Sequence, residues 1–153
     1  MRDLRSALWR AAGLALLVLV MPACGVKAPI LAVDGLKVGD MGITGVALDV
    51  RFRVRNPNPE PLTIDRMEYE LFVNGNRLGR GFDSKGLPLE GFGEGKVQSR
   101  VDVNFLALPG AVKDVLHQDR VKARVKGHFY TSGHYGNKRL GFDADAEVNL
   151  HDR

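Results

Sequence analysis

Val46-Ala47-Leu48-Asp49-Val50-Arg51-Phe52-Arg53-Val54-Arg55-Asn56-Pro57-Asn58-Pro59-Glu60-Pro61 is the stretch that decides the fold. Val46, Leu48, Val50, Phe52 and Val54 alternate with Ala47, Asp49, Arg51, Arg53 and Arg55. A period of two places one set on each side of an extended chain, so this is a half-buried strand. The prolines that follow lack a backbone donor and disfavour helix at the preceding residue, so the strand stops at Asn56. Asparagine side chains bond nearby backbone and support turns. Asn56-Pro57-Asn58 therefore reads as a rigid strand end, with a ligand contact as the alternative.

The same period recurs on both sides. Residues 67–73 (MEYELFV) and 77–82 (RLGRGF) flank Asn74-Gly75-Asn76, a strong hairpin signal. Val97, Ser99, Val101, Val103 and Phe105 share one face of a later strand, and Val121, Ala123, Val125 and Phe129 share another. Leu140, Phe142, Ala144, Ala146, Val148 and Leu150 form the last, and a weaker strand lies around Leu31–Val38. Leu108, Val112, Val115 and Leu116 are spaced for one short amphipathic helix at 109–117. The expected fold is an all-β sandwich of about seven strands with one short helix.

The chain of 153 residues opens with an address. Residues 1–23 carry Arg2, Arg5 and Arg10 and then the uncharged run AAGLALLVLV, the layout of an export signal. The apolar run is shorter than the roughly 20 residues a spanning helix needs. Removing this segment takes away a net +2 (three Arg, one Asp) from the total of +4, leaving +2 on the mature chain. Nucleic acid is not an expected partner, because that calls for a concentrated basic face. The single cysteine, Cys24, excludes an internal disulfide framework.

Val20-Met21-Pro22-Ala23-Cys24 resembles a bacterial lipobox, with Met21 where leucine is usual. The resemblance implies lipidation at Cys24, a tether over 24–29 and a domain over 30–150. Gly25 after the cysteine implies sorting to the periplasmic face of the outer membrane. Leu48, Val50, Phe52, Val54, Asn56-Pro57-Asn58, Pro61-Leu62, Tyr69, Leu71, Val73-Asn74-Gly75 and Leu78-Gly79-Arg80-Gly81 are similar to the late embryogenesis abundant type 2 (WHy domain) family. That resemblance implies a sandwich related to fibronectin III and immunoglobulin domains. It also implies a role in desiccation or other water stress, and no enzymatic activity. An envelope protein-binding module working by β-augmentation, or an apolar-ligand carrier, is the alternative. Cofactors are not expected. Expected partners are the membrane, through the lipid, and envelope protein clients of a monomeric chain.

Candidate chemistry is sparse. No GxSxG motif occurs, and Ser99 reads as a small inward position. The glycine-rich stretch Gly86–Gly95 fails the phosphate-loop pattern, since Glu90 stands for the first glycine and Val97 for Ser/Thr, and reads as a flexible inter-strand loop. His117, His128 and His134 lack a completing Cys or carboxylate set, so no metal site is expected. Arg120, Lys122, Arg124 and Lys126 line the polar face of one strand and Asp143, Asp145 and Glu147 that of the next. Side by side in a hairpin they would pair and help set register. With Arg51, Arg53 and Arg55, the basic stripe is the candidate contact for an anionic surface.

Overall fold

A computed structural model describes residues 25–106 and 118–150. The export segment 1–23, Cys24, the expected helix at 109–117 and His117 lie outside these residues. Among the described residues there are eight strands: β1 (Ile30–Met41), β2 (Gly45–Arg55), β3 (Leu62–Val73), β4 (Asn76–Asp83), β5 (Leu87–Leu89), β6 (Glu94–Asn104), β7 (Arg120–Gly133) and β8 (Lys138–Asn149). They form two antiparallel sheets, one ordered β1-β2-β6 and one ordered β4-β3-β7-β8, with β5 paired to β3.

The alternation in β2 is realised side chain by side chain. Val46, Leu48, Val50, Phe52 and Val54 are all buried. They pack against Met67, Tyr69, Leu71, Val73, Val121, Ala123, Val125 and Phe129 of the other sheet in one core. Phe52 meets Tyr69 edge to face across the sheets, at 5.1 Å between ring centroids. Burial of this apolar surface is the main force holding the two layers together.

Three expectations need correction. Ala47, which alternation places on the outer face with the charged residues, is instead buried, with Gly39 of β1 beside its carbonyl. An eighth strand, Leu87–Leu89, occupies part of the glycine-rich stretch and pairs with Leu62–Ile64. It is three residues long and centred on a proline, which the period-two pattern cannot register. The rest of that stretch is not a free loop either, since it is bonded to the asparagine turn described below.

The Asn74-Gly75 hairpin forms as expected. Both residues take positive φ, 49° and 82°, the geometry of the tight turn whose twist matches the flanking strands. Strand directions define two ends. Residues 25–29, 56–61, 90–93 and 134–137 gather at one, here the tether end. Residues 42–44, 74–75 and 105–106 lie at the far end.

Candidate functional site

The asparagine turn is the most densely bonded polar feature of the interior. Asn56 is 0% exposed and Asn58 3%. Asn56 Nδ2 donates to the carbonyls of Glu60 (2.8 Å) and Glu90 (3.0 Å). Asn56 Oδ1 accepts from the Asn58 backbone (3.0 Å) and from Asn58 Nδ2 (2.9 Å). The second hydrogen of Asn58 Nδ2 goes to the Lys27 carbonyl (2.9 Å), and the Lys27 N–H donates back to Asn58 Oδ1 (2.8 Å). Both amides thus use both of their donors.

Backbone bonds complete the clasp. The Asn56 N–H donates to Gly93 O and the Phe92 N–H to Asn58 O, each at 2.9 Å. Gly91 lies so close to the Pro59 carbonyl that any side chain there would overlap it. The turn therefore ties together the exit of β2, the 90–93 loop and the segment that leads back to Cys24. Of the two readings of Asn56-Pro57-Asn58, the architectural one accounts for every amide hydrogen.

The basic stripes are placed as the sequence suggests but do not form one surface. Arg120, Lys122, Arg124 and Lys126 lie on the outer face of β7, and their register partners on β8 are Asn149, Glu147, Asp145 and Asp143. Arg124 binds Asp143 on the diagonal through two bonds of 2.8 and 2.6 Å. That hydrogen bond holds the Asp143 carboxyl below, and the Arg124 guanidinium above, its ordinary range. Arg51, Arg53 and Arg55 lie on the outer face of β2, in the opposite sheet. Arg53 is bonded to Asp34 at 2.6 Å, and this bond raises its pKa further. One flat anionic surface can meet only one of the two stripes at a time. Such exposed pairs contribute little to stability.

The remaining candidates have structural placements. Ser99 is buried and donates to the Phe82 carbonyl at 3.2 Å. His128 lies on the outer face of β7 with its Nδ1 3.3 Å from Arg139 Nη2, while His134 meets the Tyr135 ring edge-on in the β7–β8 turn. Among the described residues, no three His, Cys, Asp or Glu side chains are grouped to hold a metal. A shallow trough of about 900 Å³ crosses four strands of the larger sheet, between the row Arg80, Glu70, Lys126, Asp143 and the row Phe82, Glu68, His128. Its carboxylates are engaged: Glu70 with Arg77 and Arg80, Glu68 with Arg66, Asp143 with Arg124.

Two features lie outside the sequence pattern. The bonds from Asn58 to Lys27 cross 31 residues, and no local pattern encodes them. Phe92 stands 67% exposed with a positive φ of 57°. An aromatic residue between two glycines in a polar loop is the signal that could have drawn attention to it.

In sequence, residues 51–146 match the late embryogenesis abundant protein family, type 2. No curated protein matches. Among solved structures, an Arabidopsis thaliana protein determined in solution is 16% identical, with 82% of this chain and 84% of that one covered and a TM-score of 0.60. A putative late embryogenesis abundant protein, also solved in solution, is 16% identical over 81% of this chain and 72% of that one, with a TM-score of 0.43. A protein from Archaeoglobus fulgidus is 13% identical over 84% of this chain and all of its own length, with a TM-score of 0.48.

Proposed function

The chain belongs to the late embryogenesis abundant type 2 family, and from this we propose that it is an exported bacterial lipoprotein that protects envelope proteins or membrane during water stress. The family match is the observation that carries the reading. The family is generally non-enzymatic, and the domain is read here as acting without chemistry on a substrate. Cys24 takes the lipid and holds the domain at the periplasmic face of the outer membrane. The lipobox-like VMPAC supports this, as does the backbone bonding of Lys27, three positions later, to buried Asn58. The protein is folded, so protection comes from its surface. Both outer faces carry interleaved acidic and basic side chains that keep water bound as the surroundings dry.

The test is survival of a labile enzyme through drying with the purified lipidated chain present, against an equal mass of an unrelated β-sandwich. Survival above that control is expected. Equal survival would reduce the effect to crowding and overturn the proposal. Membrane fractionation and lipid labelling of Cys24→Ser test the anchor separately: both are lost if Cys24 is the lipidation site.

A second reading has a specific observation behind it. β8 is an edge strand of twelve residues in unbroken register with β7, and its inward Leu140, Phe142, Ala144 and Ala146 are only half-buried. Such an edge suits addition of a partner strand. This envelope-module reading requires one protein to copurify at fixed stoichiometry.

A further inference from the structure

We propose that the tether end of the sandwich is a membrane-facing surface, with Phe92 seated in the interfacial layer of the bilayer to which Cys24 is anchored. The inference rests on the lipid-anchor reading above.

Reach is the first argument. Lys27 is bonded through its backbone to buried Asn58, and it stands only three positions after Cys24. At up to about 3.6 Å per residue, the lipidated residue can lie no more than about 11 Å from the clasp. Whichever way the domain tilts, this end stays beside the headgroups.

The second argument is what the clasp holds there. Phe92 donates its N–H to the same Asn58, so ring and tether are fixed to one buried residue. Its φ of 57° lies in the left-handed region that a bulky side chain avoids, and the residue is 67% exposed. Strain and an uncovered aromatic ring coincide at one position, the combination that marks a functional contact. Ile30, 48% exposed, and Tyr135 in the β7–β8 turn belong to the same end. Tyrosine favours the interface between acyl chains and water, and phenylalanine is among the side chains that bury the apolar face of interfacial segments.

Charge selects the mode of contact. The exposed Lys27, Arg55 and Lys138 at this end are balanced by the exposed Glu60, Glu90 and Glu94. Contact is therefore apolar, and it persists on zwitterionic lipid and at high salt.

The experiment uses the full chain, processed in bacteria and reconstituted in phosphatidylcholine vesicles doped with a spin-labelled lipid. Trp9, the one natural tryptophan, lies in the export segment, so Phe92→Trp supplies the single reporter in the processed chain. Tyr135→Trp reports the same end without touching the clasp. Ile43→Trp, about 35 Å away along β2, reports the far end. Lipid labelling of each chain is measured in parallel. Blue-shifted emission, quenched by the spin label, is expected for Phe92→Trp and Tyr135→Trp, with neither effect for Ile43→Trp, at low and high salt alike. Labelled chains in which the tryptophans of Phe92→Trp and Tyr135→Trp are unquenched would overturn the inference and leave the anchor standing. Absence of labelling would overturn the anchor reading, and the inference with it.

Discussion

Two asparagine-bearing turns cap opposite ends of this sandwich, and each bonds across to chain that lies 30 or more residues away in sequence. At the tether end, Asn56 and Asn58 join β2 to the Lys27 segment and to the 90–93 loop. At the far end, Asn74 Nδ2 donates to Gln118 Oε1 at 2.7 Å, and Asn74 Oδ1 accepts from the Lys122 N–H at 2.9 Å. The bonds are alike in length; the surroundings differ. Asn56 and Asn58 are buried, whereas Asn74 is exposed. Water can replace a lost partner at Asn74 and cannot at Asn56. A buried group left without its partner bears the full desolvation penalty, so the same residue type is a fastener at one end and a local turn at the other.

Substitution at Asn56 should separate the two ends most sharply. Asn56→Ala strands the Glu60 and Glu90 carbonyls, the Asn58 N–H and one hydrogen of Asn58 Nδ2; the two buried Asn58 donors alone, at roughly 1–3 kcal/mol each, give a loss of about 2–6 kcal/mol. Asn74→Ala should lower stability by only about 1 kcal/mol, near the net value of an exposed hydrogen bond. Urea unfolding of the two variants checks the ranking, and equal losses would break the comparison.

Tyr69 offers the converse case, a buried polar group with no partner. Its hydroxyl makes no hydrogen bond among the described residues, and burial pushes its pKa from the ordinary 10 up to about 12, against an opposing pull from Ser99. The fold therefore favours the neutral phenol. Stability from that preference is intact below pH 10 and lost as the pH rises to about 12, by about 2–3 kcal/mol for two units. Tyr69→Phe should remove this alkaline loss with no penalty at neutral pH, read from urea midpoints across that range.

The glycines of the two ends give a third test. Gly91→Ala would force a methyl group into the Pro59 carbonyl and should lose roughly 1–3 kcal/mol as overpacking. Gly75 has open space around it but a φ of 82°, so Gly75→Ala bears only the conformational penalty, about 1 kcal/mol. Thermal midpoints should fall in that order. The smallest effect is expected at the surface. Asp143 is held below its ordinary pKa by Arg124, so its contribution is present above pH 4 and fades as the pH falls through the lowered value. Asp143→Asn should flatten that acid-side slope slightly and leave neutral stability nearly unchanged, in urea titrations at pH 7 and pH 3.

The sandwich, and the side-by-side placement of the β7 and β8 charges, are legible because alternation leaves little freedom. Val46 to Val54 can bury only one face, and the charges of β7 meet those of β8 in the pairing their spacing suggests. Opposite placement of the two basic stripes was not legible, since period two assigns faces within a strand and not which sheet the strand joins. Nor was the clasp. Asn56-Pro57-Asn58 announces a turn, but its partners Lys27, Glu90 and Gly93 lie about 30 residues or more away and act through backbone atoms that every residue carries. Leu87–Leu89 was hidden for a related reason, because its pairing with β3 depends on where the clasp returns the chain.

Native-state hydrogen exchange of the Lys27 amide tests the clasp most directly, in the wild-type chain and in Asn58→Ala. If buried Asn58 fastens the tether, this amide exchanges slowly in the wild type, alongside the interior amides of β2, and as fast as a free chain in the variant. Free-chain exchange at Lys27 in the wild type would contradict the clasp, and with it the placement of Phe92 at the bilayer.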